Sequence, residues 1–243
     1  MDPSATLYTS FFLALYDPWV LWLSNTFAWR CSTTHVLLPF FQRHIGANAH
    51  LDVGVGTGYY PAKSVRELSK TTQVCFLDLN PNTLTMASER LAKAGYEGKV
   101  DTVEHDAFKP LPTSLHGKFD AVSIFYLLHC LSGGCTEKAD RVFASLVPAL
   151  APDGILYGST VLGKGVPHNL AARLLMRVYN SRGAFGNVDD TEEGFSLALR
   201  RHFEEVETKV VGAIMIFTAR RPKRRCKCVL YWYLEHTRSC PWP

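Results

Sequence analysis

The stretch Leu51-Asp52-Val53-Gly54-Val55-Gly56-Thr57-Gly58-Tyr59 decides how this chain is read. His50–Val53 reads as a short buried strand, the glycines as a tight turn, and Pro61–Leu68 as the helix that follows. A glycine carries no Cβ, so at Gly54, Gly56 and Gly58 the backbone turns sharply and a ligand lies close against it. The spacing is G-x-G-x-G. Tyr59 stands where the dinucleotide fingerprint places its third glycine, so a phosphate-free cofactor fits the turn better than a pyrophosphate.

Working outward, Gln73–Leu77 is a second strand and ends at Asp78, twenty positions beyond Gly58. A helix from Pro81 to about Ala94 follows, with Asn80 as N-cap and Pro81 at the first helical position. Val100–Glu104 and Phe119–Phe125 are further strands, and Lys138–Leu150 a helix that ends near Pro152-Asp153-Gly154. Ile155–Val161 is a fifth strand, followed by helices near Leu170–Tyr179 and Thr191–His202. Val206–Val211 and Ala213–Thr218 close the body as a hairpin about Gly212. Strands alternating with helices imply crossover units and a mostly parallel sheet, with an antiparallel strand from the hairpin at one edge.

Three acidic residues fall at successive strand ends on one edge of that sheet. Asp52 belongs to the glycine turn, and Asp78 is placed to accept hydrogen bonds from both hydroxyls of an adenosine ribose. Asp106, after the third strand, is placed to take the adenine amino group. The competing reading has the glycines as a plain turn and the aspartates as helix caps. It leaves the three-strand convergence unexplained.

This pattern resembles the class I S-adenosylmethionine-dependent methyltransferases from about Val36 to Thr218. It is similar, more narrowly, to small methyltransferases of bacterial and fungal natural-product clusters. That likeness is carried by Tyr16-Asp17-Pro18-Trp19-Val20-Leu21, Trp29-Arg30-Cys31, His50–Tyr59 and Leu127-Leu128-His129-Cys130-Leu131. The resemblance implies a Rossmann-like, doubly wound, seven-stranded α/β sheet and S-adenosyl-L-methionine as cofactor. It places Asp52, Gly54, Gly56, Thr57, Gly58 and Tyr59 near the methionine portion. Asp78, Leu79 and Asn80 fall at the ribose, and Asp106 and Ala107 beside adenine, with Phe125 lining the same site.

Methyl transfer from a sulfonium is an in-line displacement, so aligning acceptor, methyl and sulfur is the main task. Tyr16, Trp29 and Tyr59 are candidates for an aromatic face on the sulfonium, or are core packing. His129, just past the fourth strand, is the candidate general base, with Tyr126 lining the same pocket. The alternative for His129 is a structural histidine bonded to backbone. After the fourth strand, Ile124-Phe125-Tyr126-Leu127 lacks the Asn/Asp-Pro-Pro-aromatic run of DNA amino-methylating enzymes and offers no hard oxygen ligand for a metal. A small-molecule acceptor without a metal remains. Met176, Tyr179, Phe185 and Asn187 are candidate acceptor contacts, in a segment from Gly163 to Asp190 whose glycines read as lid mobility. Two rivals are weighed. A nicotinamide oxidoreductase lacks its third glycine, whereas a domain that binds S-adenosylmethionine without transferring its methyl shares every motif.

The 243 residues suit one α/β domain, and a net charge of +4 is too small to imply nucleic acid. Much of the basic excess sits in Arg220, Arg221, Lys223, Arg224, Arg225 and Lys227. The expected division is an N-terminal helical flap (1–34), a methyltransferase domain (35–219) and a basic tail (220–243), read as a solvated appendage. Asp17-Pro18 and Ser24-Asn25 interrupt the apolar N-terminus, so neither a signal peptide nor a stable membrane insertion is expected. Seven scattered cysteines point to reduced thiols in the cytoplasm rather than a disulfide framework.

Overall fold

The structure, a computed structural model, describes residues 24–223. The first 23 residues of the expected flap, and the tail from 224, lie outside the described residues. Seven strands form one sheet: β1 (Ala49–Val53), β2 (Gln73–Asp78), β3 (Lys99–Glu104), β4 (Phe119–Phe125), β5 (Leu150–Val161), β6 (Phe203–Val211) and β7 (Ile214–Pro222). Their order is β3-β2-β1-β4-β5-β7-β6. The first five run parallel, and β7 lies antiparallel to both β5 and β6. The chain therefore reverses direction across the sheet between β1 and β4, and the crevice for a ligand opens at the carboxyl ends there.

Helices cover both faces, as the expected doubly wound fold requires. On one face, α5 (Cys135–Leu146) and α7 (Glu192–His202) bury Val142, Phe143, Leu146, Phe195 and Leu199 against Leu51, Val122, Ile124, Leu156 and Phe217. On the other lie α1 (Leu38–Arg43), α2 (Tyr59–Lys63), α3 (Val65–Leu68), α4 (Pro81–Lys93) and α6 (Leu170–Ser181). There Phe41 and Tyr60 pack with Phe125 and Tyr157, and Leu84, Ala87 and Leu91 pack on Val74 and Phe76. Each fully buried Leu or Phe contributes about 1.5–3 kcal/mol, so these two layers carry the fold.

The Asn80 cap forms where the sequence places it, accepting the Asn82 N–H at the start of α4; Thr191, read as the first residue of its helix, is instead the cap of α7 and accepts the Gly194 N–H. Three expectations are corrected. The helix expected over Pro61–Leu68 is two short ones broken at Ser64, whose N–H closes a tight turn on the Pro61 carbonyl. The helix expected to reach Leu150 ends at Leu146, because Pro148 has no N–H to continue the ladder, and Val147–Ala149 tighten into a 3-10 turn. The strand β7 runs through Pro222, so Arg220 and Arg221 belong to the sheet rather than the tail.

Candidate active site

The carboxyl ends of β1, β2 and β4 and the loop after β3 surround one cavity of about 280 Å³. From the β1 turn, Asp52, Gly54, Gly56, Thr57 and Tyr59 line it; from the β2 end, Asp78, Leu79 and Asn80. Asp106 and Ala107 line it after β3, and Phe125 and Tyr126 after β4. Twelve of the fourteen residues expected at the site thus meet at one opening. Gly58 and His129 do not line it.

The glycine turn is built for close approach. Gly54, Gly56 and Gly58 all have positive φ (69°, 54° and 68°), a region that side-chain-bearing residues seldom adopt. A Cβ on Gly56 meets nothing within 4 Å, so that position faces open space. A Cβ on Gly58 sits 2.7 Å from the Ala87 Cα instead, so this third glycine lets α4 pack against the turn. Arg90 of α4 donates to the Thr57 carbonyl at 3.3 Å and its hydroxyl at 3.1 Å, and lies over the Tyr59 ring at 5.4 Å. The turn is thereby held from outside the cavity.

The acids are held by hydrogen bonds. Asp78 accepts the Gly56 N–H at 3.3 Å and the Asn80 N–H at 3.0 Å, so it braces the turn it faces. Burial raises its carboxyl above the usual range, against those two bonds. Asp52 is buried and accepts the Ser123 hydroxyl at 2.6 Å. Burial pushes its carboxyl up to about 7, opposed by the Ser123 bond and reinforced by the Asp78 charge. Asp106 uses one oxygen to accept the Phe108 N–H at 2.9 Å. Asn80 Nδ2 is buried without a hydrogen-bond partner among the described residues, and Asn80 lines the cavity.

Tyr126, the residue after β4, has φ 58°, a strained conformation for a tyrosine. Its hydroxyl donates to Asn25 Oδ1 at 2.9 Å, and Asn25 Nδ2 donates to the Thr33 hydroxyl at 2.8 Å. The surroundings of His129 oppose its expected role as base. The ring is buried in a 3-10 turn (Leu128–Cys130), packs edge-on to Phe185 and Tyr126, and accepts the Val161 N–H on Nδ1 at 3.4 Å. Burial, with the nearby Lys138 charge, lowers its pKa to about 3. With the Nδ1 lone pair occupied, the neutral ring carries its proton on Nε2 and has no free lone pair for an acceptor.

The segment between β5 and α7 is also more fixed than its glycines imply. A Cβ on Gly163 would collide with the Asn187 carbonyl, and one on Gly186 would sit 2.5 Å from the Leu131 carbonyl, so both permit tight packing rather than motion. Asn187 is fully buried, donating to the Val161 carbonyl at 3.1 Å and accepting from Asn180 at 3.0 Å. Met176, Tyr179 and Phe185 pack on the second core, and Trp29 is buried beside Phe185. From this segment Ala184 reaches the cavity. Tyr16 lies outside the described residues. Sequence reasoning missed Thr83, His105, Phe108, Cys130, Leu131 and Ala184, which line the cavity. His105 and Phe108, flanking Asp106-Ala107, were within reach; Ala184 had no local signal.

Comparison with known proteins agrees with this geometry. A methyltransferase-domain family matches residues 51–156. The chain is 41% identical over 233 residues to methyltransferase verB of Penicillium polonicum, covering 91% of this chain and 100% of that protein. It is 42% identical over 217 residues to a physcion biosynthesis cluster O-methyltransferase of Aspergillus chevalieri, covering 89% and 94%. In fold it is similar to the N-methyltransferase NodS of Bradyrhizobium japonicum, solved with S-adenosyl-L-homocysteine, at TM-score 0.55 and 16% identity, covering 78% and 86%. With sequence likeness spanning nearly the whole chain and the same sheet behind it, the chain belongs to the methyltransferase family that includes these two fungal proteins.

Proposed function

We propose that this protein transfers a methyl group from S-adenosylmethionine to an oxygen of a small-molecule acceptor. The observation that carries the reading is the cavity where the glycine turn, Asp52, Asp78 and Asp106 converge from three successive strand ends. The residues fit the cofactor. Gly56 presents a cradle with no Cβ, and the Asp78 carboxylate on the same opening is an acceptor suited to ribose hydroxyls. Oxygen is chosen as acceptor atom because the Aspergillus relative carries that activity in its name.

When bound, S-adenosylmethionine supplies an electrophilic methyl on a sulfonium. The chain's own contribution is alignment and exclusion of water. Phe125, Tyr126, Leu127 and Leu131 offer apolar surface to an acceptor, and Ala184 lines the same cavity. His129 backs this surface, keeping Tyr126 and Phe185 in place. The acceptor site takes a small molecule from a cytoplasmic pool.

Calorimetric titration with S-adenosylmethionine and S-adenosylhomocysteine, beside an Asp78→Ala variant, tests the cofactor. Micromolar binding that collapses in the variant supports the reading; no binding to the folded wild type removes it. Formation of S-adenosylhomocysteine in the presence of phenolic acceptors then separates transfer from mere binding.

A further inference from the structure

We propose that His50 and Ser123 are positioning residues, forming with Asp52 a buried donor line that aims the Asp52 carboxylate at the α-ammonium of the cofactor. The inference rests on the cofactor reading above. His50 and Asp52 are two apart on β1 and so share a face, and Ser123 of β4 is the register partner of Asp52. His50 Nε2 lies 3.0 Å from the Ser123 hydroxyl, which lies 2.6 Å from Asp52 Oδ1. Carboxylate oxygens only accept, so the Ser123 proton points to Asp52 and the Ser123 oxygen accepts from His50 Nε2–H. The Ser123 hydroxyl also lies 3.4 Å from the Leu51 carbonyl, but the 2.6 Å approach to Asp52 is far shorter, so its proton goes to the carboxylate and both donors run toward Asp52.

The rest of this face is apolar and aromatic. Phe41 and Tyr157 flank the His50 ring at 5.5 and 6.1 Å, and both His50 and Ser123 are fully buried. His50 Nδ1 has no hydrogen-bond partner among the described residues. Buried polar groups in a packed core are costly, and a half-satisfied imidazole more so, where an apolar pair would pack as well. The line terminates at a carboxylate on the cavity wall, which is what the cost secures.

The groups facing Asp52 are few: Ser123 from β4, His50 through it from β1, the Asp78 carboxylate from β2, and the Tyr157 hydroxyl from β5, which donates to the Phe41 carbonyl at 3.2 Å. Asp120 is the charged group acting on His50, whose own pKa burial lowers to about 4, so the imidazole is neutral at physiological pH. Asp52 sits near 7. Acidification protonates it, removes the partner of the α-ammonium and weakens the cofactor. The donor line holds that transition down; its loss lets the transition rise.

The test is calorimetric titration of the full chain from about pH 5.5 to about pH 8.5 with two ligands. S-Adenosylhomocysteine carries the α-ammonium; 5′-methylthioadenosine has the same nucleoside and lacks it. In wild type, S-adenosylhomocysteine affinity falls up to about tenfold per pH unit on the acid side while methylthioadenosine stays level. Ser123→Ala moves the acid midpoint up by about one unit, His50→Phe moves it the same way by less, and Ser123→Thr, which keeps the hydroxyl, restores it. An unmoved midpoint in Ser123→Ala, or an equal loss for both ligands at every pH, overturns the inference. Should Ser123→Ala not fold, nitrogen NMR of wild-type His50 decides. A neutral ring protonated on Nε2 across this range supports the line, and a proton on Nδ1 overturns it. Binding of neither ligand to the wild type at any pH refutes the cofactor reading itself.

Discussion

Replacing Lys138 by Met tests whether the wall behind the cavity is held by a buried charge. Lys138 and Asp190 are each 1% exposed and pair at 2.8 Å. The same ammonium donates to the Leu131 carbonyl at 3.1 Å and the Gly186 carbonyl at 2.8 Å, joining α5 to the segments that carry them. Removing one member of a buried pair costs about 3–5 kcal/mol, because the remaining charge is left without its partner. For a domain of this size that lowers Tm by roughly 6–20 °C. Burial already lifts the Asp190 carboxyl to about 6, with Lys138 holding it down, so in the variant it lies higher still. A carboxylate raised on folding destabilises the native state as pH climbs through its folded-state value, and costs nothing once protonated in both states. The deficit of Lys138→Met is therefore largest near pH 8 and shrinks by about pH 5. Urea denaturation at several pH values reads it, and Lys138→Met with Asp190→Asn recovers more than half of the loss. A single-variant loss below about 1 kcal/mol, or a deficit that ignores pH, would refute the argument.

Three shorter predictions concern the turn, the histidine and a cap. Gly58→Ala forces a side chain onto φ 68° and into Ala87 of α4, so it destabilises by at least about 1–2 kcal/mol and weakens cofactor binding together with Tm, by calorimetry and thermal melting. His129→Gln lowers stability but leaves the shape of the kcat–pH profile unchanged, since the ring faces backbone rather than the cavity; loss of an acid limb near neutrality would restore it as a base. Thr191→Ala removes the acceptor of the Gly194 N–H at the start of α7 and costs about 1 kcal/mol in denaturant melts, with no change in cofactor affinity.

The order of strands and helices was legible because its signals are local. The β1–glycine–helix passage, the Asn80 cap and the hairpin at Gly212 each depend on a few neighbouring residues. The convergence of Asp52, Asp78 and Asp106 was also readable, since a parallel sheet returns successive strand ends to one edge. Helix ends were less so. Pro148 stops α5 on a rule visible in the sequence, whereas the break at Ser64 has no comparable marker.

What only the tertiary structure decided is which polar groups face the cavity and which face one another. His129 reads as a base beside a strand end, yet its ring turns to the Val161 N–H and the Phe185 edge, partners 32 and 56 residues away. The glycines of the Gly163–Asp190 segment read as hinges, yet two of them are gaps into which distant carbonyls fit. His50 reads as one more residue of a buried strand, and its role emerges from a β4 serine 73 positions on. Propensity, caps and turn chemistry act over a few residues, so the sequence by itself determined the elements, their order and the cofactor edge. Side-chain direction and long-range pairing depend on how those elements pack, and packing alone determined the rest.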